Sequence, residues 1–232
     1  MTRILQTIGF DADDTLWHNE RFFSLTQERF ADLLADHADR EHLGARLLEA
    51  ERRNIGHYGF GVKGFVLSMI ETAVEVTEGR VPGAVIGDIL KAGQEMLNHP
   101  MELLPHAREA VEALADTHRL VLVTKGDLLH QERKLAQSGL GELFDAVEIV
   151  SDKQAATYAR IFGACPGGAA AAMMVGNSLK SDVRPAIDAG GWGTHVPHEL
   201  MWALEHAEKP DHPKFRELSD LGGLPELVRR IG

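Results

Sequence analysis

The chain has 232 residues, enough for one large domain or a medium one carrying an insertion. Its 44% hydrophobic and 25% charged residues make an ordinary globular composition with material for a sizeable core. With 24 basic against 35 acidic side chains the net charge is -11, which argues against a nucleic-acid or anionic-membrane partner and leaves a small anion at a local positive site open. Residues 3–10, RILQTIGF, are short, apolar and followed by a loop, as expected of a buried strand. The same N-terminal run is too short and too soon acidic for a signal peptide, and no apolar stretch is long enough to span a membrane.

Residues 18–98 show helical patterns and no convincing strand. NERFFSLTQERFADLLADH, DREHLGARLLEAERRN, GFVLSMIETAVEV and PGAVIGDILKAGQEML each repeat apolar residues at helical spacing. The segment reads as a helical domain inserted after the first strand. GHYGFGVKG, residues 56–64, reads as a glycine-rich loop within it. His57, Tyr58 and Lys63 on that loop are the candidates for substrate selection, since loops on rigid scaffolds often carry specificity.

From residue 101 to 197 strand and helix patterns alternate. The strands are RLVLVTK (119–125), AVEIVS (146–151), AAMMVGN (171–177) and GWGTHVP (191–197). Between them PHAREAVEALADTH places Pro105 in a first turn, LLHQERKLAQSGL ends on Gly139 as a C-cap, and DKQAATYARIF and SDVRPAIDAG follow. This alternation predicts an α/β fold, a doubly wound parallel sheet covered by helices on both faces. The one cysteine, Cys165, rules out an intrachain disulfide and suits a reducing cytoplasm; it reads as a small buried residue. The 12 histidines form no compact zinc pattern, and Trp17, Trp192 and Trp202 read as core or rim packing.

Ligands of open α/β sheets bind at the carboxyl ends of the strands. The first strand delivers Asp11, Asp13 and Thr15 there, the second Thr124, Lys125 and Gly126, the third Lys153, and the fourth Asn177 and Asp182. Carboxylates, a hydroxyl and a lysine converging on one edge suit an anion held with a divalent metal. Magnesium takes oxygen ligands, which Asp11, Asp182 and a backbone carbonyl near Asp13 can supply. Asp11 can then attack phosphorus as a nucleophile, and Asp13 can protonate the leaving oxygen and deprotonate the attacking water. Thr124 can donate to a phosphoryl oxygen, Lys153 supplies positive charge, and the Lys125 and Gly126 amides can face the phosphate. Asn177 stands one remove from the metal. Asp127 reads as a helix cap, and His18, Asn19 and Glu20 mark the junction with the helical insertion.

These residues resemble the haloacid dehalogenase superfamily, in its phosphatase-like majority. DADDT (11–15) matches the Asp-x-Asp-x-Thr motif, VLVTKG (121–126) the second, SDK (151–153) the third and VGNSLKSD (175–182) the fourth, in the family's order. The resemblance implies a Rossmann-like core at 1–17 and 99–232 and a helical cap at 18–98 that closes over the site. It further implies a magnesium-dependent phosphohydrolase working through an aspartyl-phosphate on a small phosphorylated metabolite; the expected assembly is a monomer or homodimer. Two positions depart from the pattern: Asp14 stands where glycine is usual, and Asn177 where many members carry an acid. The alternatives are a 2-haloacid dehalogenase, in which the second aspartate is typically absent and no metal is needed, a phosphomutase, and a low-turnover phosphate-binding regulatory protein. A phosphonate-cleaving relative would need a cap lysine such as Lys63 for a Schiff base, and manganese is an alternative metal.

Overall fold

In a computed structural model, which describes residues 4–232, six parallel strands form one sheet. They are β1 (Thr7–Phe10), β2 (Arg119–Lys125), β3 (Ala146–Val150), β4 (Ala172–Gly176), β5 (Trp192–His195) and β6 (Phe215–Glu217). Their spatial order is β3-β2-β1-β4-β5-β6, and every pairing is parallel. The chain builds outward from β1 in one direction, then returns to start β4 on its other side. This is the Rossmann-like order, and its switch point lies between β1 and β4, where ligands of such sheets bind.

Both faces of the sheet are covered, so the central strands are apolar throughout rather than alternating. Ile8, Phe10, Leu120, Leu122, Met173 and Val175 pack on one side with α5 (Ala107–Ala115) and α9 (Leu224–Ile231). Val121, Val123, Ala172 and Met174 pack on the other with Tyr158, Ile161 and Phe162 of α7 (Ala155–Gly163) and Ala186 of α8 (Arg184–Asp188). At Gly9 in β1 a Cβ would come within 3.0 Å of Met174 Sδ and Phe162 Cζ, so those side chains would have to give way.

The chain forms two compact units. The α/β unit comprises residues 1–20, 101–125 and 131–232, and the helical unit comprises residues 21–100 with 126–130. The helical unit contains most of α1 (Glu20–Leu33), with α2 (Arg40–Tyr58), α3 (Val62–Val76) and α4 (Gly83–Leu97). It has its own core of Phe30, Leu34, Leu43, Leu47, Phe65, Met69, Ile89 and Met96. Asp39 caps α2 by accepting the N–H of His42. Gly93 lets α4 approach Val66 of α3, where a Cβ would collide.

The sequence expectations need correction at several ends. The reading of 56–64 as a loop is too wide: α2 runs through Tyr58 and α3 begins at Val62. His57 and Tyr58 therefore lie in the last turn of α2, and Lys63 in the first turn of α3. The break is set by Gly59 and Gly61, whose φ angles are +72° and +107°, a region that only glycine enters freely. Pro105 precedes α5 rather than opening it, since His106 has φ 64° and the helix begins at Ala107. The helix expected over SDVRPAIDAG is a π-helical turn, Leu179–Val183, followed by α8. Strand β6 and helix α9 had no counterpart in the sequence reading. Arg3, at the start of the expected first strand, lies outside the described residues. No described helix is long and apolar enough to cross a membrane.

Candidate active site

Strands β1 and β4 lie side by side with Phe10 opposite Val175, and the Asp11 N–H donates to Val175 O at 2.9 Å. That register sets the residue after β1 beside the loop after β4. Asp11 is buried, and Lys153, from the loop after β3, donates to Asp11 Oδ1 and, at 2.7 Å, to Asp182 Oδ1. The remaining oxygens each take a neutral donor. Thr15 Oγ1 donates to Asp11 Oδ2 at 2.9 Å, and the Ser178 N–H donates to Asp182 Oδ2 at 3.0 Å. Gly176 has no room for a side chain, since a Cβ would fall on the Asp182 carboxylate. Asp182 lies in a π-helical turn, Leu179–Val183, a rare form that is frequent at functional sites.

Two carboxylates and one ammonium leave this buried group one negative charge in excess. Burial and the neighbouring Asp182 charge raise the Asp11 pKa to about 7, against the opposing pull of Lys153. Burial works against the Lys153 ammonium, but Asp11 and Asp182 outweigh it and raise its pKa. Tyr158, wholly buried on α7, donates to Ser181 O at 2.9 Å, and burial and Asp182 push its phenol up.

Asp13 faces a different set of partners. Trp17 Nε1 donates to its Oδ1 at 2.7 Å, Lys134 Nζ to Oδ1 at 2.5 Å and Gln131 Nε2 to Oδ2 at 2.8 Å. Burial would raise its pKa, but the Lys134 charge and these three donors hold it below the ordinary value. Gln131 and Lys134 are one turn apart on α6 (Leu128–Ser138), and both are buried.

Asp14 adopts φ 60°, which explains why glycine is usual there and why aspartate is tolerated. Its carboxylate accepts the N–H groups of Asn19 at 2.9 Å and Glu20 at 2.9 Å, and burial raises its pKa to about 6. His18 stacks edge-on against His198 with ring centres 5.8 Å apart, and His198 Nε2 is 3.7 Å from Asp14.

Thr124 is buried at the end of β2, its hydroxyl making a long 3.4 Å contact to Lys125 O. Asn177 donates its N–H to Thr15 Oγ1 at 3.0 Å, which puts it one residue removed from Asp11, and its carbonyl lies 3.1 Å from His195 Nε2. The Lys125 side chain turns to Ser181 and Glu205, at 2.9 and 2.7 Å. Within the helical unit Lys63 pairs with Asp127 at 2.7 Å, and Asp127 also caps α6 by accepting the His130 N–H at 3.1 Å.

The structure thus gathers Asp11, Asp13, Lys153, Asp182 and Asn177 around one strand edge. The sequence reading missed Gln131, Lys134, Trp17, Tyr158 and Glu205 as partners of these groups. For the first two a signal existed: the buried positions of α6 are Gln131, Lys134 and Ser138, so the helix turns a polar stripe inward. Among the described residues no three His, Cys, Asp or Glu side chains come together as a metal cage. Two buried carboxylates in negative excess suit magnesium, which uses one or two carboxylates and keeps several waters, and not a four-ligand zinc site.

The structure is a parallel sheet of Rossmann-like order with a buried aspartate–lysine–aspartate group at its switch point. The family model for haloacid dehalogenase-like hydrolases matches residues 5–190, and the chain belongs to that family. A haloacid dehalogenase-like hydrolase from Xanthomonas campestris is 42% identical, covering 99% of this chain and 92% of its own, with a TM-score of 0.88. A hydrolase from Bacillus subtilis solved with bound magnesium is 17% identical over 98% of this chain and 99% of its own, with a TM-score of 0.67. A 2-haloacid dehalogenase from Pseudomonas syringae is 20% identical over 98% and 100%, with a TM-score of 0.63. The last two likenesses concern the fold alone. Among curated proteins nothing matches the sequence.

Proposed function

We propose that the protein is a magnesium-dependent phosphohydrolase acting on a small phosphorylated metabolite. The observation that carries this reading is Asp13, a second carboxylate two residues after Asp11 with its own cation, Lys134, at 2.5 Å. Cleavage of a carbon–halogen bond releases a halide that needs no proton, whereas an alkoxide leaving a phosphate ester does. A second ionisable carboxylate beside the nucleophile answers that need.

Asp11 attacks phosphorus, and the bond to the ester oxygen breaks as that oxygen takes a proton from Asp13. Asp13 then removes a proton from water, which attacks the aspartyl-phosphate, frees inorganic phosphate and restores the Asp11 carboxylate. To serve first as an acid Asp13 must gain a proton, so the Lys134 pairing must loosen in the loaded enzyme. Lys153 keeps positive charge beside the phosphoryl group, Thr124 donates its hydroxyl, and the Lys125 and Gly126 amides complete the anion site. Magnesium held by Asp11, Asp182 and a carbonyl near Asp13 would offset charge on the phosphoryl oxygens. The helical unit serves as the substrate-selecting cap, with His57, Tyr58 and Lys63 as its specificity candidates.

The test is phosphate release from p-nitrophenyl phosphate and a panel of phosphorylated metabolites, with magnesium or chelator, for wild type and Asp11→Asn. Halide release from 2-chloropropionate runs alongside. Magnesium-dependent phosphate release that Asp11→Asn abolishes supports the reading. Halide release without phosphate release overturns it in favour of a dehalogenase.

A further inference from the structure

Behind the site lies a polar cluster centred on a residue from a segment with little regular structure. Between β5 and β6 the chain has only one short 3-10 turn, Ala203–Glu205. Glu205 nonetheless reaches inward. Its Oε1 accepts Lys125 Nζ at 2.7 Å, and its Oε2 accepts Ser178 Oγ at 2.6 Å and Ser181 Oγ at 2.5 Å. Lys125 Nζ also donates to Ser181 Oγ at 2.9 Å, and Lys180 Nζ donates to Leu204 O at 2.6 Å.

We propose that Glu205 is a positioning residue that fixes two of the active-site acids, Asp182 and Asp13, through two chains of hydrogen bonds. This rests on the phosphohydrolase reading. The first chain runs through the π-helical turn. Ser178 Oγ, anchored by Glu205, accepts the Ser181 N–H at 2.9 Å, while the Ser178 N–H and carbonyl both bond Asp182, each at 3.0 Å. Asp182 in turn shares Lys153 with Asp11. The second chain runs through Lys125, whose carbonyl accepts Gln131 Nε2 at 2.6 Å, the same nitrogen that bonds Asp13. One carboxylate therefore ties the last residue of β2 to the turn after β4.

A π-helical turn is rare, and this one is held at Ser178 and Ser181 by Glu205. Without the carboxylate, two serine hydroxyl protons lose their acceptor and the Lys125 ammonium loses one of its partners, all in a largely buried setting. Burial opposes the Glu205 charge, but the Lys125 charge and bonds and the two hydroxyls outweigh it and keep the carboxyl below its ordinary pKa. Partners one layer behind ligating or reacting groups commonly carry effects of about 10- to 100-fold on affinity or rate.

The experiment compares Glu205→Ala and Glu205→Gln with wild type. It measures kcat and KM on the best phosphate ester, magnesium binding by titration calorimetry, and Tm. The expected result for Glu205→Ala is kcat lower by about tenfold or more, KM changed less than about threefold, and magnesium bound about fivefold more weakly or worse. Glu205→Gln, which keeps the shape, falls between, and it decides the question if the alanine variant does not fold. A lower Tm with wild-type kcat and magnesium affinity reduces Glu205 to a structural residue and overturns the proposal. If wild type releases no phosphate from any ester, the phosphohydrolase reading fails on its own, and the magnesium titration of the variants still decides the role of Glu205. If wild type also binds no magnesium, a crystal structure of Glu205→Ala decides. Displaced Asp182–Lys153–Asp11 bonds uphold the proposal, and unmoved ones overturn it.

Discussion

Lys134 and Asp13 stand 121 positions apart in the chain and meet at 2.5 Å in the fold. Burial would raise the Asp13 pKa, but this pairing together with the Gln131 and Trp17 bonds outweighs it and holds the carboxyl below its ordinary value. Lys134→Met removes the cation and leaves Asp13 to Gln131 and Trp17, so the carboxyl titrates at a higher pH. The limb of the pH–rate profile that requires protonated Asp13 is expected to move to higher pH, since the acid no longer gives up an ion pair to gain its proton. Lys134→Arg keeps the charge and retains most of the activity. An unchanged profile in Lys134→Met would remove Asp13 from the acid–base role.

Lys153 is the one cation between two buried carboxylates, with side-chain exposures of 2% for the lysine and 8% and 1% for Asp11 and Asp182. Lys153→Met strands both charges. Removing one partner of a buried ion pair costs about 3–5 kcal/mol, so a loss of that order is expected in urea unfolding. Adding Asp11→Asn to Lys153→Met removes one of the stranded charges and recovers part of the loss. A double variant no more stable than Lys153→Met would show that the carboxylates do not repel in the folded chain.

The raised pKa of Asp11 ties stability to pH. Its carboxyl moves from an ordinary 3.8 to about 7 in the folded chain, with burial the first cause and Asp182 the second. Between those values the folded chain binds a proton that the unfolded chain does not. The contribution to stability is therefore complete below 3.8 and lost as pH rises through about 7. In chelator, wild type should lose Tm between about pH 5 and about pH 8 more steeply than Asp11→Asn. Added magnesium should restore Tm at the alkaline end in wild type and much less in the variant. Parallel curves for the two proteins would contradict the assignment.

Much of this site was readable from sequence because its signals are local. Asp11, Thr124, Lys153 and Asp182 each follow an apolar run of strand length, and parallel strands bring such residues to one edge without further information. What stayed hidden depends on long-range register. Nothing near Glu205 marks it, since it sits in an irregular segment and finds Lys125 80 positions away. Strand β6 is three residues long, too short for a period of two to show. The glycine-rich 56–64 stretch misled because glycine marks both turns and tolerated helix positions. Gly56 sits inside α2 with open space around it, whereas Gly59 and Gly61 end the helix through positive φ. Asp14 shows the reverse case, in which a departure from the usual residue is explained only by the backbone.

Asp14 combines a left-handed backbone with a capping side chain, and three substitutions separate the two. Asp14→Asn keeps the tolerance for φ 60° and one side-chain acceptor for the Asn19 and Glu20 amides, and it removes a charge that burial disfavours. It should cost least. Asp14→Gly relieves the backbone but leaves the Asn19 and Glu20 amides without that acceptor, for a cost of about 1 kcal/mol. Asp14→Ala loses the cap and also forces a Cβ into the left-handed region, adding about 1 kcal/mol or more. Urea unfolding should therefore rank the stabilities Asn above Gly above Ala. Equal losses for Gly and Ala would mean that the backbone at Asp14 carries no strain, and that the two amide bonds alone account for its place in the nucleophile loop.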